Sequence, residues 1–419
     1  MSNAGLERYD DYIDSGVEWI GKMPAHWEVK RVKDELSSLD YKRIPLSAEV
    51  RGKMTEQSYD YYGASGVIDK VEDYIFNEST ILIGEDGANL YSRSSPLAFI
   101  ATGKYWVNNH AHILKPKRGN IHFFCYLLEA FDYTTLISGS AQPKLTAGQL
   151  NRILLMVPTP LEQVIIANYL DTKTTQIDRQ IDLLSKKSTQ YNKLKQSLIN
   201  ETVTRGLDKT VAMKDSGIEW IGEMPAHWGV YRIADIAVQN KVKNQGLTEK
   251  NLLSLSYGRI IRKDFNTSFG LLPESFETYQ VVSAGTLILR LTDLQNDKKS
   301  LRVGFVREQG IITSAYLGLR FQQSIDSFFA YYVLHVYDLC KVFYWFGGGL
   351  RSTMRFDDIK VIPFILPPLH EQQAIAAYLD EKTAHIDRIV TSINTQISKL
   401  KELRKTLIND VVTGKIRVA

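Results

Sequence analysis

The sequence predicts a mixed α/β protein written twice, in which two unlike regions alternate with two long helices. Three observations carry this reading. A motif in the first half returns almost unchanged in the second. A second block, rich in apolar residues three and four apart, also returns. The stretches between these blocks mix short apolar strands with apolar helices.

The first repeat is an opener. Residues 14–29 read D-S-G-V-E-W-I-G-K-M-P-A-H-W-E-V, and residues 215–230 read D-S-G-I-E-W-I-G-E-M-P-A-H-W-G-V. Thirteen of the 16 positions are identical, at an offset of 201. The second repeat is a tail at an offset of 209. Glu162-Gln163 matches Glu371-Gln372, Tyr169-Leu170-Asp171 matches Tyr378-Leu379-Asp380, and Leu198-Ile199-Asn200 matches Leu407-Ile408-Asn409. The second variable stretch is therefore eight residues longer than the first.

In chain order this gives an N-terminal segment with the first opener (1–27) and a first variable region (28–157). A central helical spacer (158–206) leads to a linker with the second opener (207–228). A second variable region (229–366) and a C-terminal helical spacer (367–419) complete the chain. In the variable regions, Thr80-Ile81-Leu82-Ile83 and Thr286-Leu287-Ile288-Leu289 read as short buried strands. Phe123–Phe131 and Phe328–Phe346 read as apolar helices. In the tails, Pro158, Pro160, Pro367 and Pro368 block helix, and helix follows them from about Asp171 in the first copy. The seam residues are Ile177, Ile181, Leu184, Leu194 and Leu198 in one copy. Ile386, Val390, Ile393, Ile397, Leu400 and Leu407 form the other. A helix packed on its own globular region is one way to cover such a seam. Packing of the two copies on each other is the expected one, because the seams are long and share a register.

Composition bounds the function. Of 419 residues, 44% are hydrophobic and 23% charged, which are globular values. No run of 18 apolar residues predicts a membrane span. The first residues lack the basic and apolar segments of a secretory signal. Cys125 and Cys340 read as inert buried thiols in a reducing cytoplasm. The formal charge of +4 permits a nucleic-acid partner without demanding one. It is unevenly spread: residues 28–157 are neutral, and residues 229–366 carry +5.

The sequence carries no P-loop, no dinucleotide fingerprint and no zinc-protease pattern, since His370-Glu371 continues as Gln372-Gln373. It also lacks the Asn-Pro-Pro-aromatic signature of adenine methyltransferases and a nuclease carboxylate-lysine cluster. His110 and His112 suit packing or hydrogen bonding better than metal, because no further ligand cluster supports them. What remains is a set of polar loops. In the first region these hold Glu85, Asp86, Asn89, Arg93, Asn108, Asn109, Gln142 and Lys144. In the second they hold Arg290, Thr292, Asp293, Gln295, Asn296, Lys298, Lys299, Arg351, Ser352 and Arg355. Arginine, asparagine and glutamine make paired hydrogen bonds to base edges, and lysine and serine suit phosphates. Each residue alone reads more readily as a solvated loop side chain; together they make a candidate DNA-binding set.

These motifs resemble one family. The doubled D-S-G-[V/I]-E-W-I-G-x-M-P-A-H-W opener, the Pro-rich stretch before Glu-Gln, the Tyr-Leu-Asp helix and its Leu-Ile-Asn end are similar to the DNA-specificity subunit of type I restriction–modification systems. The resemblance spans about residues 10 to 415. It implies two target-recognition domains separated by a pair of long antiparallel coiled-coil helices. Each domain reads one half of a split, asymmetric double-stranded DNA site. The helices set the gap and dock two modification subunits, which carry S-adenosylmethionine and methylate adenine. Restriction subunits, where present, bring ATP and magnesium. This chain is then a cytoplasmic, non-catalytic subunit with no cofactor and no metal of its own. A coiled-coil scaffold without a DNA role and a stand-alone DNA-acting enzyme are the alternatives. A helix of some 34 residues measures roughly 50 Å, on the order of 15 base pairs, which suits the spacing role.

Overall fold

The computed structural model describes residues 7–139, 142–265, 275–294, 301–345 and 353–418. The chain forms two compact units, Met1–Ser185 with Asn394–Ala419, and Lys186–Ile393. Both divisions fall inside long helices, so each unit is built from parts of both halves of the sequence.

In the first unit the opener is a hairpin, Tyr12–Asp14 against Lys22–Pro24. The Asp14 and Ser15 side chains accept from the amides of Gly16 and Val17 at 2.9 and 3.1 Å. Gly16 turns the chain at φ +69, a conformation that favours glycine. The hairpin delivers Ile20, Met23 and Trp27 into the core.

Strands Glu28–Arg31 and Leu154–Val157 pair antiparallel and tie the two ends of the variable region together. Between them lie two four-stranded sheets. The first runs Leu36–Ser38, Ala111–Pro116, Thr80–Gly84, Ala98–Ala101 and is antiparallel throughout. The second runs Gly66–Val71, Tyr59–Gly63, Lys104–Val107, Phe76–Asn77 and includes one parallel pair. Thr80–Gly84 is buried along its whole length. Ile81 and Ile83 join the main core with Phe123 and Phe124, whereas Leu82 packs with Phe76 and Tyr105. That alternation is the two-residue period of a strand covered on both faces. Helix Ile121–Ala130 starts at Asn120, whose side chain accepts from the amides of His122 and Phe123.

The second unit repeats the plan. Its opener pairs Met213–Asp215 with Glu223–Pro225, and Gly229–Arg232 closes on Pro363–Leu366. Its central sheet runs Ala237–Gln239, Leu317–Phe321, Leu287–Leu289, Val303–Phe305. The apolar helix read from Phe328 is Ser327–Leu339, started by Asp326. It does not run on unbroken. Lys341 adopts φ +61, and a separate turn follows at Val342–Trp345; Phe346 lies outside the described residues.

The two long helices are Pro160–Arg205 and Leu369–Val412. The first begins at Pro160 rather than near Asp171. Proline fits the first helical turn, where its missing N–H would have no partner in any case. In the first unit, Ile166, Ala167 and Leu170 share a core with Ile408, Val411 and Val412, and Asp178 pairs with Arg404 at 2.9 Å. In the second, Ile199 and Val203 share a core with Ile375, Ala376 and Leu379, and Lys195 pairs with Asp387 at 2.7 Å. Within each unit, numbers rise along one helix as they fall along the other, so the segments are antiparallel. Ile177, Ile386 and Ile393 are buried, and Ile181, Leu184, Leu198, Val390, Ile397, Leu400 and Leu407 are half-buried. Leu194 departs from the expected seam. It is 54% exposed, and Lys195, one position on, faces the other helix instead.

Among the described residues no helix is long and apolar enough to cross a membrane. The two cysteines are free, and burial raises the Cys125 thiol to about 12.

Candidate nucleic-acid interface

The repeated motifs meet at one clamp in each unit. At the start of the first long helix, the Glu162 carboxylate accepts from Tyr9 Oη at 2.7 Å and Trp27 Nε1 at 3.0 Å, and lies 3.0 Å from His26 Nε2. Gln163 donates to the Pro158 carbonyl at 3.0 Å and accepts from the Asn120 amide at 2.9 Å. In the second unit Glu371 holds Trp228 Nε1 at 3.0 Å and His227 Nε2 at 2.7 Å. Gln372 likewise donates to the Pro367 carbonyl at 2.9 Å and accepts from the Asp326 amide at 2.8 Å. The Pro-Ala-His-Trp and Glu-Gln repeats are thus two halves of one device, joining opener, apolar helix and long helix. Tyr126 extends it by donating to Asp171 at 2.8 Å, and Tyr332 lies 3.2 Å from the Thr383 hydroxyl. The helix ends close the units. Val411 and Val412 pack with Trp27, and Val203 packs with Trp228. Sequence reading found the repeats but missed these pairings; the 209-residue offset shared by Glu162, Thr174 and their counterparts was the available signal.

On this frame the first region brings several of its predicted loop residues together. The Glu85 amide donates to the His110 carbonyl, the Gly87 amide to the Pro143 carbonyl, and Asp86 bridges to Lys144 along the backbone. Asn109, Gln142 and Lys144 stand exposed around these links. Asp86 is half-buried and 2.8 Å from His110 Nδ1. Glu85 and Asn108 are buried. Glu85 accepts from Arg43 Nη1 at 2.5 Å and Lys144 Nζ at 3.2 Å. Burial opposes its charge, but Arg43, His112 and Lys144 still hold its carboxyl below the usual range. Asn89 is used inside its own loop, accepting from the Ser95 amide at 3.1 Å. Arg93 donates to the Glu129 carbonyl and lies over the Tyr133 ring, which seals the end of helix Ile121–Ala130.

In the second region, Arg290, Thr292 and Asp293 follow strand Leu287–Leu289 and are half-buried. Arg302, which the sequence gave no reason to select, props them up. It is fully buried, donates to the carbonyls of Arg290 and Thr292 at 3.0 Å each, and reaches Tyr344 Oη at 3.0 Å. Asp293 sits at φ +56, a strained conformation for a non-glycine residue. Arg355 is exposed at the start of the short helix Phe356–Ile359. Gln295, Asn296, Lys298, Lys299, Arg351 and Ser352 lie outside the described residues. A cleft of about 850 Å³ opens beside the turn at Tyr257 and Gly258. His335 lines it with a buried Nδ1 that has no hydrogen-bond partner among the described residues, and burial lowers this imidazole to about 4.

No described group of three or more histidine, cysteine or acidic side chains is arranged to hold a metal. The exposed loop residues Asn109, Gln142, Lys144 and Arg355 are carried on strands and helices of the two units, an arrangement suited to recognition.

Comparison with known proteins gives consistent matches. A family model for the type I restriction modification DNA specificity domain matches residues 24–192 and 304–399. A putative type I restriction enzyme specificity subunit of Haemophilus influenzae is 24% identical over 373 residues, covering 83% of this chain and 86% of its own. The type I restriction enzyme MjaVIII specificity subunit of Methanocaldococcus jannaschii is 24% identical over 423 residues, covering 95% and 94%. A chain from a structural study of complex assembly and conformational transition of the type I R-M system shares the fold. Its TM-score is 0.65 at 13% identity, covering 93% of this chain and 98% of that one.

Proposed function

Because the chain belongs to the type I restriction–modification DNA specificity family, we propose that residues 28–157 and 229–366 each read one half of a bipartite, asymmetric double-stranded DNA site. The chain is the non-catalytic specificity subunit of such a system. The observation that carries the half-site reading is the same His-Trp/Glu-Gln clamp built twice around two unlike inserts. A repeated frame presents both inserts equivalently, and unlike loops give each its own base preference. A split, non-palindromic site follows.

The helical segments 158–206 and 367–419 set the gap and dock two modification subunits. Their seam side chains face inward, so docking falls to outward leucines such as Leu194 and Leu403, which occupy the same repeat position and are 54% and 40% exposed. S-adenosylmethionine belongs to the modification partners, and ATP and magnesium to restriction partners. The assembly works in the cytoplasm. The neutral first region and the +5 second region supply few net cations, so the partners provide much of the phosphate grip. Single-molecule methylation sequencing of cells that carry the complex tests this reading. One bipartite adenine motif with a fixed gap is expected; a continuous or palindromic motif contradicts it.

A further inference from the structure

Behind the loops of the first region lies a network of ionised side chains centred on the buried His112 and Glu85, and the described residues at the strand positions equivalent to those two are apolar in the second region. His112 is 1% exposed. Its Nε2 is 2.8 Å from the Leu145 carbonyl, and its Nδ1 is 2.6 Å from Asp40 Oδ2. A carbonyl and a carboxylate both only accept, so both ring nitrogens carry protons and the ring is an imidazolium. The other Asp40 oxygen accepts from the Ile113 amide at 2.8 Å. Glu85 Oε2 lies 3.8 Å from His112 Nδ1 and also takes Arg43, which donates on to the Ala111 carbonyl at 3.0 Å. The charged groups facing His112 are thus Asp40, Glu85 and Arg43. Lys144 lies beyond Glu85, and the Asp86–His110 pair lies outermost.

These bonds fasten three loops to one point: that after strand Thr80–Gly84, that before Ala111–Pro116, and that ending at Leu145. In the second unit the two positions equivalent to His112 and Glu85 are apolar. Ile83 lies opposite His112, as Leu289 lies opposite Leu317. Leu317 therefore stands in place of His112, and Leu291 in place of Glu85. Just past the corresponding edge strand stands a neutral pair, Asn240 Nδ2 donating to Gln280 Oε1 at 3.1 Å.

We propose that the Asp40–His112–Glu85–Arg43 network is the positioning device for the loops of the first region, so that reading of its half-site, and not of the other, depends on a charged His112. This rests on the half-site reading above. The network also sets a direction for pH. Burial disfavours the charged ring, but the Asp40 and Leu145 hydrogen bonds and the Asp40 and Glu85 charges outweigh it and raise the imidazole above its usual value. The network is complete below that raised value and comes apart as pH rises through it.

The test uses the full modification complex. Methylation of matched sites is compared with single mismatches in each half-site, at pH 7 and pH 9, for wild type, His112→Gln and Asp40→Asn. Losing a charge-assisted hydrogen bond should cost about tenfold in discrimination at the first half-site. The second half-site should be unchanged, and His112→Gln should abolish the difference between the two pH values. Comparing the two half-sites within one complex cancels general effects of pH on methylation. The wild-type pH comparison also stands if a variant fails to fold. Full first-half discrimination in both variants, equal loss in both halves, or the same pH response in both halves would overturn the proposal. A complex with no bipartite motif at all would instead overturn the functional reading beneath it.

Discussion

Replacing Glu162 with alanine should loosen the first unit and leave the second intact. The carboxylate is 7% exposed and satisfies Tyr9 Oη and Trp27 Nε1, both on buried rings. Deleting it strands two buried donors, each costing about 1–3 kcal/mol, for a total near ~4 kcal/mol. His26 adds little, since its side chain is 52% exposed and water replaces the lost partner. Glu371→Ala strands one buried donor, Trp228 Nε1, and should cost about 1–3 kcal/mol. Hydrogen exchange read by mass spectrometry separates the two. In Glu162→Ala, peptides from residues 7–27 and 403–418 should exchange about a thousandfold faster, the rate equivalent of ~4 kcal/mol. Peptides from residues 213–228 should match wild type. Glu162→Gln keeps one acceptor oxygen and should lose less. Exchange in residues 7–27 within twofold of wild type, or loss spread equally over both units, would refute the clamp.

Three further outcomes are expected. Gly414→Ala forces a side chain onto a residue at φ +69 and into the Pro24 ring, so it should cost about 2–4 kcal/mol in urea unfolding. Gly16→Ala, at the same φ but in open space, should cost only about 1 kcal/mol. His335 is neutral when folded because burial lowers it to about 4. As pH falls from 6.5 toward 4 the unfolded chain takes up a proton that the folded one refuses, so stability falls by up to about 3 kcal/mol. His335→Gln should flatten that slope in urea midpoints measured at pH 7 and pH 5. Cys125, with its thiol raised to about 12, should resist alkylation at pH 8 until the chain is unfolded. Labelling of the native protein at the free-thiol rate would contradict the burial assigned to it.

The sequence displayed the frame more clearly than the interface. Duplication marked the openers and long helices directly, because both copies solve the same packing problem with the same residues. Strand Thr80–Gly84 was legible since burial on both faces leaves an unbroken apolar run. Proline reads as a helix breaker in sequence, which points to a start near Asp171, whereas Pro160 occupies the first turn, the one that tolerates it. Leu194 was placed in the seam by spacing alone, yet Lys195 takes the inward position, where its long side chain reaches Asp387. The candidate loops were harder still. Glu85 and Asn108 look like ligand-binding residues in sequence, but Glu85 is held by Arg43 from a loop some forty residues away, and Asn108 accepts from the His110 amide within its own loop. Arg302 was invisible for the same reason: a buried arginine is defined by the carbonyls it collects, and those belong to the chain's fold.

The central claim is that one duplicated frame carries two independent readers. Exchanging residues 28–157 for the corresponding region of another specificity subunit, then mapping adenine methylation at base resolution in cells carrying the complex, tests it directly. One half-site should change, while the other half-site and the gap remain as they were. A change in both half-sites, or in neither, would contradict the account.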